Sequence, residues 1–214
     1  MNTKEILNEI NNRVKNNKKL VVGIDGYSGI GKTTLLNDLI KNNKDILPVY
    51  RDDFIKSRKV LEKLLKSVDD KSKIMELEWC DDQRIRDLVN KFRNSNESYT
   101  MTTKVYNSDT GKADIKKTFD LSKKIMVIEG IFLFHPKLIG DIFDLKIFID
   151  GDVEAADQRR IKREKARWGK DYFPHDHPDS YFRLVKIAFE RYYKLYNPKK
   201  LADIVVDFRD NFGD

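Results

Sequence analysis

Ile24-Asp25-Gly26-Tyr27-Ser28-Gly29-Ile30-Gly31-Lys32-Thr33-Thr34 decides how this chain folds. Gly26 to Thr33 reads G-x-x-x-x-G-K-[ST], a glycine-rich turn ending in a lysine and a hydroxyl. Without a Cβ, the backbone reaches conformations that let successive N–H groups converge on an anion. The helix that opens at Lys32 adds its positive N-terminal end. Amides from Gly26, Ser28, Gly29, Ile30, Gly31, Lys32, Thr33 and Thr34 would line the cradle. Lys32 is placed to reach β- and γ-phosphates and the Thr33 hydroxyl to ligate Mg²⁺.

The flanks fit that reading. Leu20 to Asp25 is a short apolar run rich in β-branched residues, long enough for a buried strand. Lys32 to Lys41 then spaces Leu35, Leu36, Leu39 and Ile40 as one helical face. Further strands are expected at Ile46–Tyr50, Ile125–Ile128, Leu145–Ile149 and Ile204–Val206. Helices are expected at residues 3–16, Asp82–Phe92, Val153–Arg167 and Ser180–Tyr196. Strands separated by helices predict an α/β fold, a doubly wound and mainly parallel sheet covered on both faces. Residues 56–120 break the rhythm with a helix and a hairpin (Tyr99–Tyr106 and Asp114–Phe119) and read as a substrate-side insertion. The whole, 1–214, reads as one domain with a helical lid over 153–175.

Composition narrows the class. The 214 residues carry 40% hydrophobic side chains, enough for a packed core, and no window approaches a membrane-spanning length. One cysteine, Cys80, suits a reducing compartment, and no apolar signal core precedes Leu20, so the cytoplasm is the expected location. The net charge is +7, and the window Arg159–Lys170 alone holds seven basic residues against Glu164. So local a charge suits a nucleotide's phosphates better than a nucleic-acid backbone, which is met by a wider basic surface. Nucleic acid and membrane are therefore not expected partners, and a homo-oligomer stays open.

The motif alone does not separate kinases from GTPases or motor ATPases. A guanine-reading Asn-Lys-x-Asp is absent, and Asp210-Asn211-Phe212-Gly213 stands too late in the chain to act as a switch. Asp52 and Asp53 follow the second strand, whose end should face the same crevice as the phosphate loop. One of them can accept a proton from an attacking hydroxyl or orient it, although two acids can also simply cap a turn. Glu129 ends a buried strand, where a charge needs a partner; water-mediated contact with Mg²⁺ would supply one, and so would an ion pair. Asp25 could assist in a similar way. Arg159, Arg163 and Arg167 share a helical face and Arg160 sits beside it, which suits a lid that grips phosphoryl oxygens; a solvated charged helix is the commoner role of such a run. His175 and His177 lie in a proline-bounded loop with too few ligands for a closed metal site, and Asp179 fits a helix N-cap. The aromatic residues of 181–196 read as helix packing.

Several blocks, in order along the chain, resemble the uridine kinase/phosphoribulokinase family. They are Ile24-Asp25-Gly26, Asp52-Asp53-Phe54, Ile128-Glu129-Gly130-Ile131-Phe132, Arg159-Arg160-Ile161-Lys162-Arg163-Glu164 with Arg167-Trp168-Gly169, and Tyr196-Asn197-Pro198 through Val206. The resemblance implies a kinase that moves the γ-phosphoryl group of ATP, with Mg²⁺, to a hydroxyl of a small molecule, first of all a nucleoside. It implies Asp52 as the catalytic acid, with Lys32, Arg160 and Arg163 at the transferring group, Arg159 and Arg167 on the nucleotide, and Asp53 and Tyr106 on the acceptor. The chain departs from the family where the nucleoside is read. After Tyr106 the expected acid is Asn107, and the expected His and Arg fall on Gly111 and Ala113. Nicotinamide riboside, pantothenate or another small alcohol are the alternative acceptors. The alternative class is a nucleotide-dependent regulator or nucleic-acid-binding ATPase.

Overall fold

Leu20–Gly26, the first strand (β1), is buried along its whole length in the computed structural model, which describes residues 2–16, 19–95 and 99–207. It follows α1 (Thr3–Asn16) and leads through the glycine turn into α2 (Lys32–Asn42) and β2 (Ile46–Tyr50). A 3₁₀ turn, Arg51–Phe54, then gives way to α3 (Arg58–Lys66), α4 (Lys71–Leu77), α5 (Asp82–Asn94) and the hairpin β3 (Thr100–Asn107) and β4 (Lys112–Asp120). The chain returns as β5 (Ile125–Gly130) and β6 (Leu145–Asp150). It ends with α6 (Val153–Trp168), α7 (Tyr181–Tyr196), α8 (Pro198–Leu201) and β7 (Ile204–Asp207).

Five strands form one parallel sheet in the order β2-β5-β1-β6-β7. From β1 the chain crosses to one edge, then comes back to the other side of β1. Connections on the two sides diverge there, and a crevice opens beyond the strands' carboxyl ends. Pro48 lacks an N–H, a loss that β2 tolerates as an edge strand. β5, like β1, is buried at every residue, as expected of strands covered on both faces. Close packing explains Gly23, whose added Cβ would lie 2.8 Å from the Phe143 ring. The core gathers Ile6 and Ile10 of α1 and Leu35, Leu36 and Leu39 of α2 with the strand residues.

The expected strands and helices are present with ends shifted by one or two residues. α3, α4 and α8 were not anticipated, and their shortness explains it: nine, seven and four residues show too few turns for a clear period. The N-cap of α7 is a correction. Ser180, not Asp179, accepts the Arg183 N–H, while Asp179 pairs with Lys71 at 2.7 Å. Among the described residues, no helix is long and apolar enough to cross a membrane. Asp210–Gly213 lies outside the described residues.

Candidate active site

The phosphate loop takes the shape its glycines allow. Gly29 (φ 80°) and Gly31 (φ 114°) occupy the left-handed region, and a Cβ on Gly29 would come within 2.6 Å of Arg160 Cγ. Lys32 is buried and lies across the loop, donating to the carbonyls of Gly26 at 2.9 Å and Tyr27 at 2.8 Å. Burial holds its ammonium below the ordinary value, while Glu129, Asp25 and Asp52 pull the other way. Such a lysine gains when stronger, charged acceptors enter the loop.

Glu129, at the end of β5, is 9% exposed and accepts a hydrogen bond from the Thr33 hydroxyl at 3.2 Å, long for O–H···O. Burial pushes its carboxyl up, opposed mainly by Lys32. A buried carboxylate and a hydroxyl, both hard oxygen donors and only loosely satisfied by each other, fit a Mg²⁺ ion. Asp25 has a different place from the one expected. Its buried carboxylate accepts from Gly26 N (2.7 Å), Phe134 N (3.1 Å) and Tyr192 OH (2.6 Å), so it braces the entrance of the loop.

The two adjacent acids divide. Asp53 is paired with Lys117 of β4 at 2.6 Å, and that ammonium also sits 4.7 Å from the centre of the Tyr50 ring. Asp52 is exposed to the crevice. It lines a small cavity of about 120 Å³ together with Ser28, Lys32, Thr33, Glu129, Arg163 and Tyr181. That cavity is a junction. On one side it shares Gly29, Lys32, Thr33 and Arg163 with a cleft of about 290 Å³ that also reaches Gly31, Thr34, Arg159 and Arg160. On the other it shares Ser28, Asp52, Arg163 and Tyr181 with a cavity of about 410 Å³ walled by Trp168, Tyr172, Phe173 and Phe182. A larger hollow of about 690 Å³ lies on the other side of the loop against Tyr27 and Ile30, and reaches none of Lys32, Thr33, Asp52 or Glu129.

Of the four arginines of α6, Arg160 turns inward and Arg159, Arg163 and Arg167 stay at the surface. Arg159 donates to the Gly29 carbonyl at 3.3 Å. Arg160 is 2% exposed, stacked 4.0 Å from the Phe182 ring centre and bonded to Asp157 at 3.3 Å. Asp157 in turn accepts from the Tyr27 hydroxyl at 2.8 Å, so the loop and α6 are joined. Arg163 is mostly exposed and borders all three cavities. Arg167 crosses to the hairpin turn and donates to Ser108 Oγ at 2.6 Å. Tyr106 is half-buried at a register shift of the hairpin and lines none of these cavities. His175 contacts the Tyr172 hydroxyl at 3.2 Å, and no group of three or more metal-binding side chains exists among the described residues.

Sequence reasoning missed Tyr181 and Phe182 as crevice walls, because aromatic spacing on a helix reads first as packing. It also missed Asp157 and Arg51. The available signals were an acid one turn before Arg160 and a lone arginine abutting two acids.

A parallel α/β sheet whose first strand delivers a phosphate loop beside an open carboxylate defines a P-loop phosphotransferase. The chain belongs to the Phosphoribulokinase / Uridine kinase family, whose model matches residues 21–209. It is similar to a uridine kinase of Staphylococcus aureus, 28% identical over 196 residues, 87% of this chain and 86% of the relative. Among solved structures it resembles D-glycerate 3-kinase from Cryptococcus neoformans (TM-score 0.69, 13% identity, 97% and 96% of the two chains). Phosphoribulokinase from Rhodobacter spheroides superposes with a TM-score of 0.58 at 14% identity, over 89% and 70%. The chain is an ATP-dependent small-molecule kinase.

Proposed function

We propose that the acceptor is a nucleoside and that Asp52 takes the proton of the attacking hydroxyl. The observation that carries this reading is the junction cavity: Asp52 stands between the phosphate cleft and the aromatic-walled cavity and borders both the junction and that cavity. A hydroxyl bound there meets Asp52 on one side and the γ-phosphorus on the other. As its oxygen bonds to phosphorus, the bond to the β,γ-bridging oxygen breaks, the hydroxyl proton passes to the Asp52 carboxylate, and ADP leaves. Lys32, Arg160 and Arg163 surround the transferring group and match its spreading negative charge. Arg159 belongs to the nucleotide side of the lid; Arg167, expected there too, instead borders the acceptor cavity and is tied to the hairpin turn through Ser108.

Thr33 and Glu129 are the residues that would hold Mg²⁺, which when bound neutralises charge on the β- and γ-phosphate oxygens. Trp168, Tyr172, Phe173, Tyr181 and Phe182 give the acceptor cavity flat apolar walls, suited to a base. Asp53, tied to Lys117 of the hairpin, and Tyr106, on that hairpin's other strand, line none of the three cavities, so the acceptor is not assigned to either of them. Support for a nucleoside comes from the uridine kinases that the chain resembles and from those walls. The test is a phosphotransfer screen with MgATP over uridine, cytidine, nicotinamide riboside, pantothenate and glycerate. Uridine or cytidine monophosphate as the best product supports the reading. Preferred transfer to nicotinamide riboside, pantothenate or glycerate refutes it.

A further inference from the structure

We infer that Arg51 and Asp82 form a positioning pair that sets where the Asp52 carboxylate stands relative to Glu129. The inference rests on Asp52 as the proton acceptor. Arg51 immediately precedes Asp52 and opens the 3₁₀ turn Arg51–Phe54. Its side chain is 2% exposed and grips Asp82 with both arms of the fork, Nε to Oδ1 at 2.9 Å and Nη2 to Oδ2 at 2.7 Å. The remaining nitrogen, Nη1, donates to the Ile131 carbonyl at 2.8 Å.

One guanidinium therefore joins three elements: the turn that carries Asp52, the backbone two residues past Glu129, and the first residue of α5. Contact with β5 is tighter still at Gly130, where an added Cβ would stand 2.6 Å from Arg51 Cβ. A planar fork accepts a carboxylate in one orientation, so the turn cannot rotate without breaking several bonds.

Stability does not explain the arrangement. Removing a guanidinium and a carboxylate from water costs several kcal/mol, roughly what their attraction returns, and apolar side chains filling such a space are often as stable or more so. Nor is Asp82 needed to start its helix, because Asp81 is the N-cap and accepts the Arg84 N–H. What the ion pair supplies is direction. Displacements of about 1 Å at a reacting group can cost about 10²-fold in rate, so a rigid seat for Asp52 has kinetic value.

The test replaces the pair with apolar side chains of similar size, Arg51→Met together with Asp82→Leu, which leaves no charge stranded. We expect a thermal midpoint close to the parent's, kcat lowered about 10- to 100-fold, and an unchanged KM for ATP. Arg51→Lys keeps the charge without the fork and should show most of the loss. In an Asp52→Asn background the double change should lower kcat no further, because residues acting through one group are not additive. Parental kcat in the double variant, or in Arg51→Lys should the double variant not fold, overturns the inference, and so does a full additional loss in the Asp52→Asn background. Parental kcat in Asp52→Asn alone refutes the proton-acceptor reading first, and this inference with it.

Discussion

Lys117 holds the Asp53 carboxylate at 2.6 Å, and the neighbouring Asp52 is left facing the crevice. Two acids that are adjacent in sequence are thus separated by a contact from a hairpin 64 residues away. Charge satisfaction tells them apart: Asp53 has its counter-ion, whereas Asp52 borders space where a substrate hydroxyl can sit.

Asp52→Asn should lower kcat by about 10²–10⁴ with KM for ATP nearly unchanged, since proton acceptance acts in the transition state. Asp53→Asn should act mainly on the acceptor's KM, because it frees Lys117 and loosens the hairpin. Steady-state kinetics with both substrates varied checks the pair, and equal losses in kcat for the two variants would remove the distinction.

Lys32→Ala should abolish measurable transfer. The buried ammonium that bridges the Gly26 and Tyr27 carbonyls lies across the loop, where it would meet the β- and γ-phosphates. A calorimetric titration should show weakened ATP binding in the same variant. Full activity would place the chemistry elsewhere in the molecule.

Glu129→Gln should raise the thermal midpoint relative to the parent, increasingly so as pH rises above the ordinary glutamate value of 4.5. Burial favours the protonated carboxyl in the folded state, so that state binds more protons than the unfolded chain between the two values. Stability contributed by Glu129 is complete below the unfolded value and is lost as pH rises through the folded one. The variant escapes that loss, and its transfer activity should fall with the carboxylate that would face Mg²⁺. Melting curves from acid to neutral pH test this, and a difference that stays flat or shrinks with pH contradicts it.

Gly29→Ala should destabilise the protein by about 1–3 kcal/mol and impair ATP use, because a side chain there is strained at φ 80°. It also collides with Arg160 Cγ at 2.6 Å. Gly169→Ala is the control. Its φ is 54° and its ψ −120°, a conformation that side chains rarely adopt, but nothing lies within 4 Å of an added Cβ, so backbone strain of about 1–3 kcal/mol applies without any collision. Parental kcat/KM for ATP in Gly29→Ala would show that the contact between loop and lid is dispensable.

Much of the fold was legible because its signals are local. The apolar run at Leu20–Gly26, the glycines after it and the leucine spacing of α2 each report on a few consecutive residues. α3 and α4 escaped because they are short, and the cap of α7 was misplaced by one residue because Asp179 and Ser180 are equally good capping types. In the site, the loop residues and Asp52 could be nominated from motif and position. The bracing role of Asp25 could not. It depends on Tyr192, 167 residues later, and on the Phe134 N–H.

By itself the sequence determined that a phosphate loop sits between a buried strand and a helix, and that a basic segment follows late in the chain. These are matters of backbone freedom, periodicity and local charge, which neighbouring residues decide. Only the tertiary structure decided which acid is open, that Arg160 of the basic segment turns inward, and that Arg51 is locked between Asp82 and Ile131. Those outcomes rest on ion pairs and burial between distant segments, and such contacts exist only once the sheet has brought the strand ends together.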